Sequence, residues 1–190
     1  MATMATMTKT QQPQQKGKTL RKNTTQAVVA LPIYNKTLIT KQVVLHVIQV
    51  GNTIKETLKK RLAMEIEGKC INEGYVQPQS TEIITFSSGL VQSSNVVFEV
   101  VFQCNVCSPV EGMYIPCIAK NINKMGIRAE VKEMPSPVVI FIARDHNYNS
   151  QLFADTKVND EITVRVIGQR YELNDTYISV IAEIVEPQNA

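Results

Sequence analysis

Residues 123–131 read Asn-Lys-Met-Gly-Ile-Arg-Ala-Glu-Val, and Val110-Glu111-Gly112 stands shortly before them. This pairing constrains the fold more than any other feature. It predicts a strand over about 113–122, a tight Lys-Met-Gly corner, and a second strand over 125–131. Gly126 supplies backbone freedom that such a corner needs. Further apolar, β-branched runs follow at 137–143, 160–168 and 172–186. Five short strands in succession predict a small closed β-barrel that starts near residue 110.

The segment ahead of the barrel has a different pattern. Thr37–Val50 is a β-branched run and reads as strand. Gly51-Asn52 then breaks the chain, and Thr53 with Glu56 forms a capping-box signature. Ile54, Leu58, Leu62 and Ile66 recur at helical spacing. Lys55, Lys59, Lys60 and Arg61 lie mostly on the other side, with Glu56–Lys60 as a stabilising pair. Gly68 ends the helix. Strands are expected at 69–76, 81–86 and 96–107. The predicted fold class is α+β: an antiparallel sheet packed with one helix over 28–109, then a barrel over 110–187. The runs at 38–50 and 96–107 are apolar enough that one of them is expected to lie under another polypeptide.

Residues 1–27 are rich in Thr, Gln, Lys and Met and show no apolar periodicity, so they read as a flexible basic tail. That tail is either solvated or a docking arm; residues 188–190 form a second short tail. The formal net charge is +3, but residues 1–30 hold five bases and no acid, leaving 15 bases against 17 acids elsewhere. The folded part is therefore not strongly basic, and nucleic-acid affinity has to come from local patches, the tail or a larger assembly. No apolar run is long enough to span a bilayer, and the first residues lack a secretory apolar core. A cytosolic or nuclear protein without a membrane partner is expected.

Residue chemistry argues against an enzyme. No nucleophile motif, phosphate loop or dinucleotide fingerprint is present. No cofactor is expected. Cys104-Asn-Val-Cys107 is a single pair whose residues point to opposite faces of a strand, so no metal site is expected. Cys70 and Cys117 could join it only by a coincidence of the fold. His46, in an apolar strand, reads as a core or interface residue. Phe141, within Val139-Ile140-Phe141-Ile142, reads as core. The cations Lys120, Lys124, Arg128, Arg144, Arg165 and Arg170 lie on or beside barrel strands. With His146, Tyr148 and the nearby rings Tyr114 and Tyr171, they form the candidate RNA-binding set, because small barrels combine cations for phosphates with rings for bases.

The order of short motifs carries more than any one of them. It runs helix, Glu67-Gly-Lys-Cys70, Phe98-Glu-Val100, Val110-Glu-Gly112, Asn123-Lys-Met-Gly126 and Ile167-Gly-Gln-Arg170. Over roughly 38–187 this order resembles the stalk subunits of multisubunit RNA polymerases, that is, the seventh subunit of RNA polymerase II and its archaeal E-prime counterpart. The resemblance implies an oligonucleotide-binding (OB-fold) barrel behind a tip domain. It implies a non-catalytic subunit that docks on the clamp region of the largest subunit and on a small core subunit, favouring a closed clamp. It also implies a second stalk subunit at the tip–barrel junction and contact with nascent single-stranded RNA. Gly51, Asn52, Thr53, Lys55, Lys59 and Lys60 match the docking region. The family usually has aromatics directly after Met-Gly. Ile127-Arg128 stand there instead, which exchanges a stacking platform for a cation and implies weak, mostly electrostatic binding. A copy carried by a large DNA virus fits this divergence as well as a cellular one does. The first would work in a cytoplasmic factory or virion, the second in the nucleus. The rival reading is a free-standing single-stranded RNA-binding module serving translation or RNA processing.

Overall fold

A computed structural model describes residues 32–148 and 150–185. The tails and Asn149 lie outside the described residues, as does most of the apolar stretch 28–33. The chain builds a six-stranded sheet with one helix, then a closed five-stranded barrel.

Helix α1 (Ile54–Ile66) forms where the apolar spacing predicts it. Leu58, Leu62 and Ile66 are buried. They pack on Val43, Leu45, Phe98, Val100 and Phe102 of the sheet. The capping box does not form: Thr53 has φ −99° and ψ 30°, and its side chain makes no capping bond. A side-chain cap requires an extended ψ, which Thr53 does not have. The helix start is closed by backbone turns instead, Ile54 N–H to Gly51 O at 3.1 Å and Thr57 N–H to Thr53 O at 3.1 Å. Among the described residues Glu56 and Lys60 form no ion pair; the helix's bridge is Glu65 to Lys41 of the sheet, 2.7 Å. Gly68 follows the C-cap with a left-handed φ of 71°. The Glu67 carboxylate accepts Gln79 N–H at 2.8 Å and Thr81 N–H at 3.2 Å, tying the helix end to the next loop.

Strand β1 (Tyr34–His46) pairs along its whole length with β6 (Asn95–Cys107), from Tyr34↔Cys107 to His46↔Asn95. β6 is central, with β3 (Gly74–Val76), β4 (Glu82–Phe86) and β5 (Leu90–Gln92) along its other side. β2 (Cys70–Ile71) pairs with β3. The two long strands are joined edge to edge, and of β1 only Val43 and Leu45 are buried. Val96, Phe98, Val100, Phe102, Cys104 and Val106 point into the core on the α1 side, and Leu38 and Val44 of β1 remain exposed.

β1 stops short of the predicted residue 50. Val47–Gln49 turns into a 3-10 helix, and His46, exposed rather than core, caps it by accepting Ile48 N–H at 3.4 Å. β5 is an addition to the predicted strands. Its hairpin turns through Ser93-Ser94, with Ser93 at φ 56°, and those residues carry a weak turn signal.

The barrel comprises β7 (Tyr114–Ile122), β8 (Gly126–Glu130), β9 (Val138–Ala143), β10 (Glu161–Arg170) and β11 (Ile178–Val185), in the closed order β10-β11-β9-β8-β7. β9 and β11 run parallel and the other pairs are antiparallel. Helix α2 (Gln151–Asp155) sits between β9 and β10. Five residues are too few to show periodicity, so this helix is not legible in the sequence. This is the connectivity of an OB-type Greek-key barrel.

The corner at Asn123–Gly126 is held by Asn123 Oδ1, which accepts Met125 N–H at 2.9 Å and Gly126 N–H at 3.0 Å. Glycine is required for a second reason: a Cβ at 126 would stand 2.3 Å from the Ile142 carbonyl oxygen of β9. Pro116 lies where β7 has a partner on one side only, since pairing with β8 begins at Ile118. A residue without an amide donor is tolerated there.

Sheet and barrel share a core. Cys70, Tyr75 and Cys107 of the sheet pack with Ile115, Ile140 and Val180 of the barrel. Backbone bonds join Cys70 N–H to Asp175 O (2.8 Å) and Asn174 N–H to Cys70 O (2.9 Å). Tyr171 Oη donates to Asn72 O at 3.0 Å.

Leu62→Ala is expected to destabilise the protein by about 2–5 kcal/mol in chemical denaturation. Met64→Ala, on the opposite face and 78% exposed, should change stability by no more than about 0.5 kcal/mol. Equal effects would contradict the assigned helix face.

Candidate nucleic-acid interface and docking face

The outer wall of the barrel carries one continuous cross-strand row. Asn121 of β7 faces Arg128 of β8, Arg128 faces Phe141 of β9, Phe141 faces Ile181 of β11, and Ile181 faces Gly168 of β10. Phe141 is not core: it points outward and is 43% exposed, beside the exposed Ile181. Alternation along β9 sends Ile140 and Ile142 inward and Phe141 out. An open cleft lies on either side of the ring. One, of about 310 Å³, is bounded by Asn121, Asn123, Met125 and Arg128. The other, of about 470 Å³, is bounded by His146, Gly168, Gln169, Arg170 and Ser179.

The structure brings only part of the candidate RNA set to this row. Arg128 lines the first cleft, and exposed Lys124 sits in the corner beside it, between Asn123 and Met125. Lys120 is exposed at the β7 bulge between Ala119 and Asn121. His146 and Arg170 line the second cleft. Arg144 and Tyr148 are exposed but line neither cleft; Arg144 lies over the Phe153 ring, 5.7 Å from its centroid. Buried Asn147 anchors this loop, donating to Ala143 O at 2.8 Å and accepting Ile184 N–H at 2.9 Å. Arg165 lies apart, gripped by Glu183 through Nε at 2.6 Å. Arg128 and Arg170 have partners too, Glu130 at 3.0 Å and Glu172 at 3.2 Å, but these pairs are exposed and contribute little. Tyr114 sits opposite Arg165, and Tyr171 is spent on Asn72, so neither ring belongs to the row.

The candidate docking residues Gly51, Asn52, Thr53, Lys55, Lys59 and Lys60 are all exposed. They adjoin an apolar end of the sheet that sequence reasoning missed. Val47, Ile48 and Val50 are exposed on the 3-10 turn, Ile48 by 84%, and Leu90 and Val91 are exposed on the β5 hairpin. Val47 N–H donates to Ser94 O at 3.0 Å and so links the two loops. Residues 47–50 read as strand, which conceals their exposure.

The cysteines are packing groups. Cys104 belongs to the sheet core, whereas Cys70, Cys107 and Cys117 all enter the barrel core, a convergence not expected from their spacing. Among the described residues no cluster of His, Cys, Asp and Glu is arranged to hold a metal ion. Burial pushes the thiols up, to about 11 for Cys70 and Cys104 and about 12 for Cys107 and Cys117. Asp175 adds to the effect at Cys70, and Glu133 at Cys107.

No protein-family model matches the chain. Among curated proteins, it is 32% identical over 96 residues to RNA polymerase II subunit 7 of Arabidopsis thaliana, a match covering 50% of this chain and 52% of that protein. It is 25% identical over 171 residues to a putative DNA-directed RNA polymerase subunit of Acanthamoeba polyphaga mimivirus, covering 81% and 83%. It is 25% identical over 149 residues to the seventh subunit of RNA polymerase II of Glycine max, covering 70% and 82%. In sequence the chain is similar to DNA-directed RNA polymerase subunits, seventh subunits of RNA polymerase II among them. The Arabidopsis match spans about half of that protein's length, and the other two span most of theirs. The mimivirus match, at 81% of the chain, is too long to fall within the sheet or the barrel alone.

The raised thiol values set a pH dependence. Each folded-state value lies above the usual thiol value of about 8.5, so the stability from burying neutral thiols is fully present below that pH. It should fall as pH rises through about 9 to 12, as the unfolded chain ionises first. Thermal melts across this range check it, and a stability that rises there would contradict the buried, neutral assignment. Thiol reagents at about pH 8 should label none of the four cysteines until the protein is unfolded.

Proposed function

We propose that this chain is a non-catalytic stalk subunit of a DNA-directed RNA polymerase. It attaches to the enzyme body by the end of its sheet, residues 47–60, and carries nascent RNA on its barrel. The observation that carries this reading is the pair of long matches to polymerase subunits, over 81% and 70% of the chain. The geometry supports it, because two chemically different surfaces stand on two units that share a buried core. The sheet end combines apolar Val47, Ile48, Val50, Leu90 and Val91 with the lysines of α1. That mixture suits a protein interface with an apolar centre and a charged rim. The barrel wall combines cations with one exposed ring, which suits single-stranded nucleic acid.

On this reading the partners are the clamp region of the largest subunit, a small core subunit, and a second stalk subunit along the sheet–barrel junction. The residue assignments are Gly51, Asn52, Thr53, Lys55, Lys59 and Lys60 for docking. For RNA they are Lys120, Lys124, Arg128, His146 and Arg170, with Arg144 and Tyr148 outside the clefts and Arg165 held by Glu183. On this reading the working site is the nucleus for a cellular copy and a cytoplasmic factory or virion for a viral one. The division of labour between a tip domain up to residue 109 and a barrel from residue 110 belongs to the same proposal.

Two experiments test it. Lys55→Glu with Lys59→Glu should melt normally, since exposed helix charges contribute tenths of a kcal/mol. Ile48→Asp should also fold, because the side chain is exposed. Both variants should lose co-purification with core polymerase, and full retention at high salt would move the docking surface elsewhere. Separately, Lys124→Ala with Arg128→Ala should lower the log–log salt slope of RNA binding by about 1.4, two contacts at about 0.7 each. Arg165→Ala should leave the slope unchanged; a drop there instead would put the RNA path on the β10–β7 side of the barrel.

A further inference from the structure

We infer that Phe141 is the base-stacking platform of this barrel and that the clefts on its two sides hold the neighbouring bases of one RNA strand. The inference rests on the RNA-binding reading above and goes further by naming the ring, the direction of the strand's path and the two base sites. The path runs across the strands, from Arg128 over Phe141 and Ile181 to Gly168. At the usual strand spacing this row is about 14 Å long.

Five observations converge on Phe141. A large ring, 43% exposed, stands in mid-wall where cross-strand neighbours hold it on both sides. Among the described residues it is the one with a large aromatic ring that lines both clefts. Cations flank it at both ends of the row, Lys124 and Arg128 at one and Arg170 at the other, so phosphates on either side of a stacked base meet positive charge. Gly168 leaves the far cleft open: a Cβ built there meets nothing within 4 Å. Polar side chains in the clefts can hydrogen-bond base edges, Asn121 and Asn123 in the first, His146, Gln169 and Ser179 in the second. The competing aromatics are disqualified by position. Tyr171 is bonded to Asn72, and Tyr148 lines neither cleft.

The loop geometry agrees. OB-type barrels present the face of their second and third strands, with the loops after the first and fourth. Here the loop after the fourth strand is taken up by the sheet, through Asn174 and Asp175 to Cys70. The face of β8 and β9 and the Asn123–Met125 corner remain available, and Phe141 sits on that face.

The test uses the 190-residue chain and a short single-stranded RNA carrying an internal 2-aminopurine, whose fluorescence falls on stacking. Wild type and Phe141→Trp should quench it. Phe141→Leu keeps an apolar side chain but removes the π face. It should abolish the quench and weaken binding at least about fivefold, with an unchanged salt slope, because no phosphate contact is lost. Gly168→Leu should fill the far cleft and also weaken binding, while melting like wild type. A merely structural role for Phe141 would lower the melting temperature of Phe141→Leu without touching the quench. Intact RNA binding and quench in Phe141→Leu would overturn this inference alone. No binding of RNA by wild type would overturn the RNA-binding reading and this inference with it.

Discussion

The joint between sheet and barrel is the interaction on which the rest depends. The barrel core is not closed by barrel residues alone: Cys70, Tyr75 and Cys107 of the sheet complete it. Two backbone hydrogen bonds between Cys70 and the 174–175 loop, and one from Tyr171 to Asn72, fix the same boundary. Buried apolar contact sets the strength of the joint, and the backbone bonds set its register. The apolar sheet end and the cationic barrel wall are therefore held in a fixed relation.

The joint also decides which loops are available. It consumes the loop after β10 and leaves the β8–β9 face and the Asn123 corner open to solvent. Charge follows a similar division. Arg165 is held by Glu183 on the wall between β10 and β11, whereas Lys120 and Lys124 form no ion pair among the described residues. The barrel is not basic as a whole, and only a few exposed cations stand beside Phe141 on its wall. On the proposed RNA-binding reading, binding would be weak and salt-sensitive, with stacking supplying the part that salt does not screen.

Regular periodicity is legible in the sequence. Ile54, Leu58, Leu62 and Ile66 mark α1, and the apolar runs mark four barrel strands to within two residues, whereas the fifth, expected from 172, starts only at Ile178 because Asn174 and Asp175 turn back to Cys70. Local geometry is less legible. Thr53 and Glu56 have the letters of a capping box, but the turn through Gly51 gives Thr53 the wrong ψ. Val47–Val50 continues a β-branched run, yet the chain bends there because His46 caps a 3-10 turn. β5 and α2 are too short to carry a period. Phe141 reads as core because four apolar residues in a row hide the alternation that a barrel wall imposes. The cations are legible only as a set of residues: sequence cannot show that Arg165 faces Glu183, or that Arg128 stands beside Phe141.

Site-specific photo-crosslinking tests the central claim most directly. A photoreactive amino acid would be placed at Ile48, at the sheet end, and separately at Ile181, beside Phe141, in cells expressing the chain. The crosslinked partners would then be identified. A stalk subunit built as described should crosslink through position 48 to a large polymerase subunit and through position 181 to RNA. RNA captured at position 48, or no polymerase subunit captured at either position, would contradict it.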